Sequence, residues 1–437
     1  MTNIMSLDNN ENDAEEISEI DVNSTSAESQ NGIGRVFGAG LLIAGTSIGA
    51  GMLGLPVKTA AAGFYSTSIA YVAVWLIMLS TALMTLEVSF YFKGKTNMIS
   101  MASATIGPMA GKIMKVVYLL FFYSVMASYT TQGVSLTSIA IESGSTSSLF
   151  SQIFSMLCFV TPFALIVFMG AYWVDQINRG FIFGIAICFA LLVVMVLNNK
   201  TQLSMERGSI VSVLPALSLI VTSLGFHGII PSLKSYLNED IKKIRAAIVL
   251  GSMIPVVVYI LWQYVILSHV PIWGANGLVN LSHAIGNPGE KLISAISSKS
   301  SYASLIVVVF SLCAIFSSYV GVALGITDFL FDAFKNIKNA SISQISIVLL
   351  TFIPPVIFAI AYPSGFMMAL SYAGIFAAVL LVIFPALMMY LGRSKSQLNL
   401  YRVKFGRPLA LLALIFGVSV VLLEISIQFN FVDVKFF

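Results

Sequence analysis

Residues 45–54 read GTSIGAGMLG, four glycines in ten positions, inside an apolar run that extends from 36 to 60. The run is long enough to cross a bilayer, which takes about 20 residues. As one continuous helix it is poor, because each interior glycine costs ~1 kcal/mol relative to alanine. An interrupted helix leaves backbone N–H and C=O groups unpaired, and a membrane tolerates those only where they are buried in protein or line a cavity. The chemistry on offer is binding. N–H groups of Gly49, Ala50 and Gly51, opening a second half-helix, favour an anion. Carbonyls of Ala44 and Gly45, closing the first, suit a cation. The alternative is plain helix packing through the GxxxG pair Gly45 and Gly49.

A second interruption lies at 223–231, SLGFHGIIP. Ser47–Ile48–Gly49 corresponds to Ser223–Leu224–Gly225, and a proline follows each, Pro56 and Pro231. His227 is set well inside this span; its ring can hydrogen-bond a ligand hydroxyl or carry a proton, or simply tie the break to a neighbouring helix. Phe226 offers a stacking face or packing bulk. Glu87, in TALMTLEVSFYF, either couples a proton or pairs with Lys93 at the membrane edge. Ser317 and Ser318 either ligate a cation or bond back to the preceding turn. Tyr123, Tyr129 and Gln132 belong to a polar cluster on the third span and are within reach of a pocket between the breaks. Tyr372 is a candidate gate. Asp175, Asp328 and Asp332 read as loop-edge residues. No HExxH, acid pair or Ser–His–Asp set exists to support a membrane-embedded enzyme, and no repeated filter or charge ring suggests a channel. Cys158, Cys188 and Cys313 are isolated and read as small apolar packers.

The elements that must hold these residues follow from composition. Of 437 residues, 58% are hydrophobic and 10% charged, with mean hydropathy +0.93, against about 25% charged in a soluble globular chain. The chain reads as an all-α integral membrane protein. Apolar segments fall near 36–60, 66–92, 113–140, 150–170, 180–198, 209–233, 246–269, 303–327, 343–361, 365–391 and 408–428. That is 11 transmembrane helices, with a short surface helix expected in the long connection 270–302. Residues 1–33 read as a disordered acidic tail, since 1–31 carry eight acidic residues and no Lys or Arg. With that tail cytoplasmic, 17 Lys and Arg lie inside and 6 outside, which makes the 23 of the chain. The C-terminus, 429–437, is then short and external. Five spans separate the two interruptions, so the halves enter the membrane with opposite polarity. This is the pattern of a transporter with a five-plus-five inverted repeat and broken helices 1 and 6. Repeat one is 36–198, repeat two 209–391, and 408–428 is an extra helix in a transporter domain spanning 34–428.

GTSIGAGMLGLP, GFHGIIPSLKSYL and SSYVGVALGITDFLFDA, at 45, 225 and 317, resemble motifs of the bacterial hydroxy- and aromatic-amino-acid permeases. The resemblance is greatest to the tyrosine-specific permeases, with the tryptophan permeases close behind, and covers 34–428. It implies the amino acid–polyamine–cation superfamily fold and a bacterial inner-membrane carrier, without enzyme activity or nucleic-acid partner, that imports L-tyrosine or another aromatic amino acid. Tryptophan, phenylalanine, serine and other neutral amino acids remain alternatives, and oligomeric state stays open. Paired hydroxyls such as Ser317 and Ser318 hold sodium in relatives of this fold, so sodium stands beside the proton as coupling ion; no organic cofactor is implied. The substrate set implied is Ser47, Gly49, Ala50, Gly51, Tyr123, Tyr129, Gln132, Ser223, Phe226 and His227. The coupling set is Glu87, His227, Ala44, Gly45, Ser317 and Ser318.

Overall fold

In a computed structural model of the chain, residues 34–49, 51–94, 96–141, 149–198, 208–274, 277–283, 301–335, 343–394 and 401–431 are described. Every regular element among them is helical. The acidic tail, Ala50 and the last six residues of the expected external terminus lie outside the described residues.

Among the described residues, ten helical segments are long and apolar enough to cross a membrane, from Ala60–Ser89 to Gly406–Gln428. Their outward faces carry Ile69, Leu165, Phe183 and Ile415, each more than half exposed, where a soluble helix would present charge. Polar residues gather at the ends instead. Asn97 accepts the Ser100 N–H to start helix Met98–Thr105, and Asp240 accepts the Lys242 and Lys243 N–H groups to start Ile241–His269.

The first apolar run falls into two helices, residues 34–47 and Gly51–Lys58, with Ile48 and Gly49 outside both. The sixth divides into Leu217–Ser223 and Ile230–Tyr236, joined through a short 3₁₀ turn at His227–Ile229. Both interruptions sit where glycine density places them. Helix Ile241–His269 crosses the first broken segment closely. A methyl added to Gly251 would lie 2.7 Å from the Gly40 carbonyl oxygen and 2.8 Å from its Cα.

Some expected boundaries move. The fifth span starts at Ala171 and not at 180, because only Gly170 separates it from Leu149–Met169. Gly170 has φ +99°, a conformation that L side chains rarely adopt. Asp175 therefore lies within a helix and pairs with Arg179 one turn on, 2.7 Å away at the surface. The eighth helix runs on to Lys335, so Asp328 and Asp332 are helical as well. A short helix, Leu278–His283, does occupy the long connection, and Leu278 is fully buried.

Candidate functional site

The two breaks meet at one hydroxyl. Tyr259, on helix Ile241–His269 and 1% exposed, has its phenol oxygen 2.7 Å from the Ser47 carbonyl and 3.2 Å from the Ser223 carbonyl. One turn on, the Trp262 indole N–H donates to the Met52 carbonyl. Backbone groups freed by both interruptions thus find partners on a single helix, which a buried break requires. Glycine is needed for this approach: a methyl on Gly49 would sit 2.5 Å from Ser318 Oγ, and one on Gly51 would overlap the Ser223 hydroxyl. Sequence patterning offered no signal for Tyr259 beyond a phenol within an apolar run.

A cavity of about 1600 Å³ adjoins the breaks. Gly45, Ser47, Gly49 and Gly51 line it from the first broken segment, and Ser223, Phe226 and His227 from the second. Tyr129, Ser317 and Ser318 close its far wall, and it runs to exposed Asn97, Ser100 and Lys115. Asp328 and Asp332 stand near that mouth, also on its lining. On the opposite side of the breaks Thr59, Trp262 and Gln263 are fully buried.

His227 is fully buried, with Nε2 2.9 Å from Thr81 Oγ1. The Thr81 hydroxyl already donates to the carbonyl of Ile77 or Met78, at 3.2 and 3.1 Å. With that proton on a carbonyl, the Thr81 oxygen accepts from His227 Nε2–H, and in this tautomer Nδ1 carries the lone pair. Nδ1 is buried with no partner among the described residues. The Phe226 ring lies 5.1 Å from the imidazole. Ser317 reaches across to another helix and donates to Asn178 Oδ1 at 2.6 Å. Asn178 also lines the cavity and was not among the residues read from sequence.

Other expected residues are placed elsewhere. The Ala44 carbonyl is taken by the Ile48 N–H at 3.0 Å, and the Tyr123 hydroxyl donates to the Leu350 carbonyl at 2.8 Å. Gln132 is fully buried off the cavity lining, with neither amide atom partnered among the described residues. Glu87 is also off the lining and pairs with Arg393, not with Lys93. Arg393 Nε and Nη2 donate to its two oxygens at 2.6 and 2.7 Å. The Tyr91 hydroxyl and the Val403 N–H add bonds of 2.7 and 2.6 Å. The carboxylate raises the Arg393 guanidinium above its ordinary range, and burial together with Glu87 pushes the Tyr91 phenol up.

Comparison with known proteins bears on what such a cavity holds. A family model described as the tryptophan/tyrosine permease family matches residues 33–424. The tyrosine-specific transport systems 1 and 2 of Haemophilus influenzae are each 32% identical, over 402 and 416 residues. These matches cover 90% and 92% of this chain and 97% and 98% of the relatives. A tryptophan-specific transport protein of Pseudomonas aeruginosa is 29% identical over 390 residues, covering 88% of this chain and 93% of the relative.

Proposed function

Since the chain belongs to the tryptophan/tyrosine permease family, and is a transporter and not an enzyme, we propose that it imports aromatic amino acids, tyrosine first, across a bacterial cytoplasmic membrane by proton symport. One observation carries the reading: a cavity flanked by both broken segments, with His227 on its lining and the Nδ1 of that ring buried beside it without a partner among the described residues. A zwitterion fits this arrangement. Its carboxylate lies at the start of helix Gly51–Lys58, where N–H groups and the helix dipole favour negative charge. Its ammonium faces the end of the 34–47 helix near Gly45 and Ser47, and its ring lies toward Phe226 and Tyr129. The His227 lone pair accepts a hydrogen bond from a tyrosine hydroxyl or an indole N–H.

Eleven spans follow if the broken run 34–58 is added to the ten candidates. With the N-terminus cytoplasmic, the mouth at Lys115 opens inward and Thr59, Trp262 and Gln263 close the outside. The proton is preferred to sodium on the family resemblance alone, since Ser317, although it donates to Asn178 Oδ1, keeps oxygen lone pairs that could meet a cation.

Uptake of tritiated tyrosine into proteoliposomes tests this, with a proton gradient or a sodium gradient imposed alone. Accumulation with the proton gradient, competed by unlabelled tryptophan, is the expected result. Accumulation with sodium alone would overturn the coupling, and absence of uptake from folded protein would overturn the substrate.

A further inference from the structure

Besides Glu87 and Lys234, two ionisable side chains within the bundle lie off the cavity lining. Glu424 lies one turn from the end of helix Gly406–Gln428 and is 2% exposed. Its oxygens accept from Ser218 Oγ at 2.6 Å and Gln428 Nε2 at 3.2 Å. Among the described residues it has no ion-pair partner. Lys58 ends the half-helix that follows the first break. Its ammonium donates to the Pro215 carbonyl at 3.2 Å and to Ser371 Oγ at 3.0 Å.

Pro215 and Ser218 are three residues apart, one turn at the start of the second broken segment's outward half. The two head groups therefore grip the same turn from different sides. Gly374, one turn beyond Ser371, packs so closely on that turn that a methyl on it would lie 2.6 Å from Ser218 Cβ. Ionisable groups are rare inside membrane helices because they are costly there, and their retention calls for a task.

We propose that Lys58 and Glu424 are positioning residues that latch the outward halves of both broken segments shut while the cavity stands open at its other end. Lys58 fastens Gly51–Lys58 to Phe366–Ala377, and Glu424 fastens Leu217–Ser223 to Gly406–Gln428. Opening the outer side moves those half-helices and must break these bonds. The donors to Glu424 are a hydroxyl and an amide, both neutral, so the latch works through hydrogen bonding at this carboxyl and a glutamine can replace it. The inference rests on the transporter reading and on the mouth at Lys115 being the inner one.

The test uses Thr59→Cys as reporter in a variant lacking Cys158, Cys188 and Cys313, labelled from outside by a membrane-impermeant methanethiosulfonate. Thr59 is fully buried beside Lys58, so labelling waits for the outer side to open. Glu424→Leu and Lys58→Met are expected to speed labelling by about fivefold each, the scale of one lost hydrogen bond. They also lower both KM and maximal rate for external tyrosine, as an outward-biased population requires. Glu424→Gln keeps wild-type labelling. Unchanged labelling in Glu424→Leu overturns the proposal, as does equal acceleration by Leu and Gln. If Glu424→Leu does not fold, Ser218→Ala removes the same bond and is judged by the same rate. Failure of the parent protein to take up tyrosine, with these labelling rates as expected, would defeat the substrate reading and leave the latch standing.

Discussion

At the residue scale the sharpest feature is a histidine with one nitrogen committed and the other idle. His227 Nε2 bonds the Thr81 hydroxyl, and in the tautomer that donates to it Nδ1 is a buried acceptor without a partner among the described residues. A buried acceptor costs about 1–3 kcal/mol when unsatisfied, and a ligand that donates to it recovers that cost. Tyrosine and tryptophan carry such a donor on the ring, and phenylalanine does not. The expected outcome is a preference of at least about tenfold in kcat/KM for tyrosine over phenylalanine. His227→Ala should narrow it to within about threefold, because a site without the acceptor gains nothing from the hydroxyl. Measuring both substrates in the same vesicles makes the ratio independent of how much protein is active. An unchanged ratio would return His227 to a packing role.

At the scale of elements, the breaks were legible in sequence and their supports were not. Gly45, Gly49, Gly51 and Gly54 announce an interrupted helix because glycine is a poor helix former anywhere. Tyr259, Asn178 and Arg393 are ordinary residues whose importance comes from contacts 36 to 306 positions away in sequence, and local pattern carries no trace of those. Glu87 shows the difference. Its place inside a span was readable; its partner was not, since Arg393 lies past the tenth span. The ion pair ties helix Gly63–Ser89 to the end of Phe384–Gly392 and, through the Val403 N–H, to the approach of the last helix. Glu87→Gln leaves a largely buried guanidinium unpaired, which costs about 3–5 kcal/mol in buried pairs. Arg393 keeps 17% exposure, so the lower end of that range applies. A melting temperature several degrees lower is expected, with proton-driven uptake by the folded fraction intact. Loss of proton drive with exchange preserved would instead make Glu87 the coupling carboxylate. The Gly251–Gly40 crossing makes a second prediction of this kind. Gly251→Ala places a methyl against backbone that cannot rotate away. A loss of about 1–3 kcal/mol is expected, read by thermal melts in detergent, and an unaltered melt would show that the two helices separate freely.

For the molecule as a whole, the distribution of unsatisfied polar groups says where the second pathway runs. Besides His227 at the break and Ser155 on helix Leu149–Met169, four residues, Gln132, Ser135, Gln263 and Ser311, each hold a buried side-chain polar atom without a partner among the described residues. Measured along their helices, all four lie beyond the breaks, away from the cavity mouth. Gln132 and Ser135 follow Tyr129 by three and six residues, about 4.5 and 9 Å at helical rise. Lys115, at the mouth, precedes it. Ser311 comes seven residues before Ser318, about 10 Å, and Asp328 at the mouth comes after. Gln263 is bonded to Thr59, at the far end of the half-helix that leads away from the mouth. Native interiors leave few polar groups unpaired, and those that remain call for a reason. A carrier supplies one, because groups that line a watered path in one state must be dry when that path is closed. Ser135→Cys and Ser311→Cys, in the variant without native cysteines, are therefore expected to react with an impermeant thiol reagent from the outside. A Ser103→Cys variant, on the cavity lining one turn from Ser100, reacts from the inside alone. Saturating internal tyrosine, by driving exchange through the outward state, should speed the outer reaction. If transport persists while neither serine position is ever labelled from outside, the outward path takes another course and these orphaned groups need another explanation.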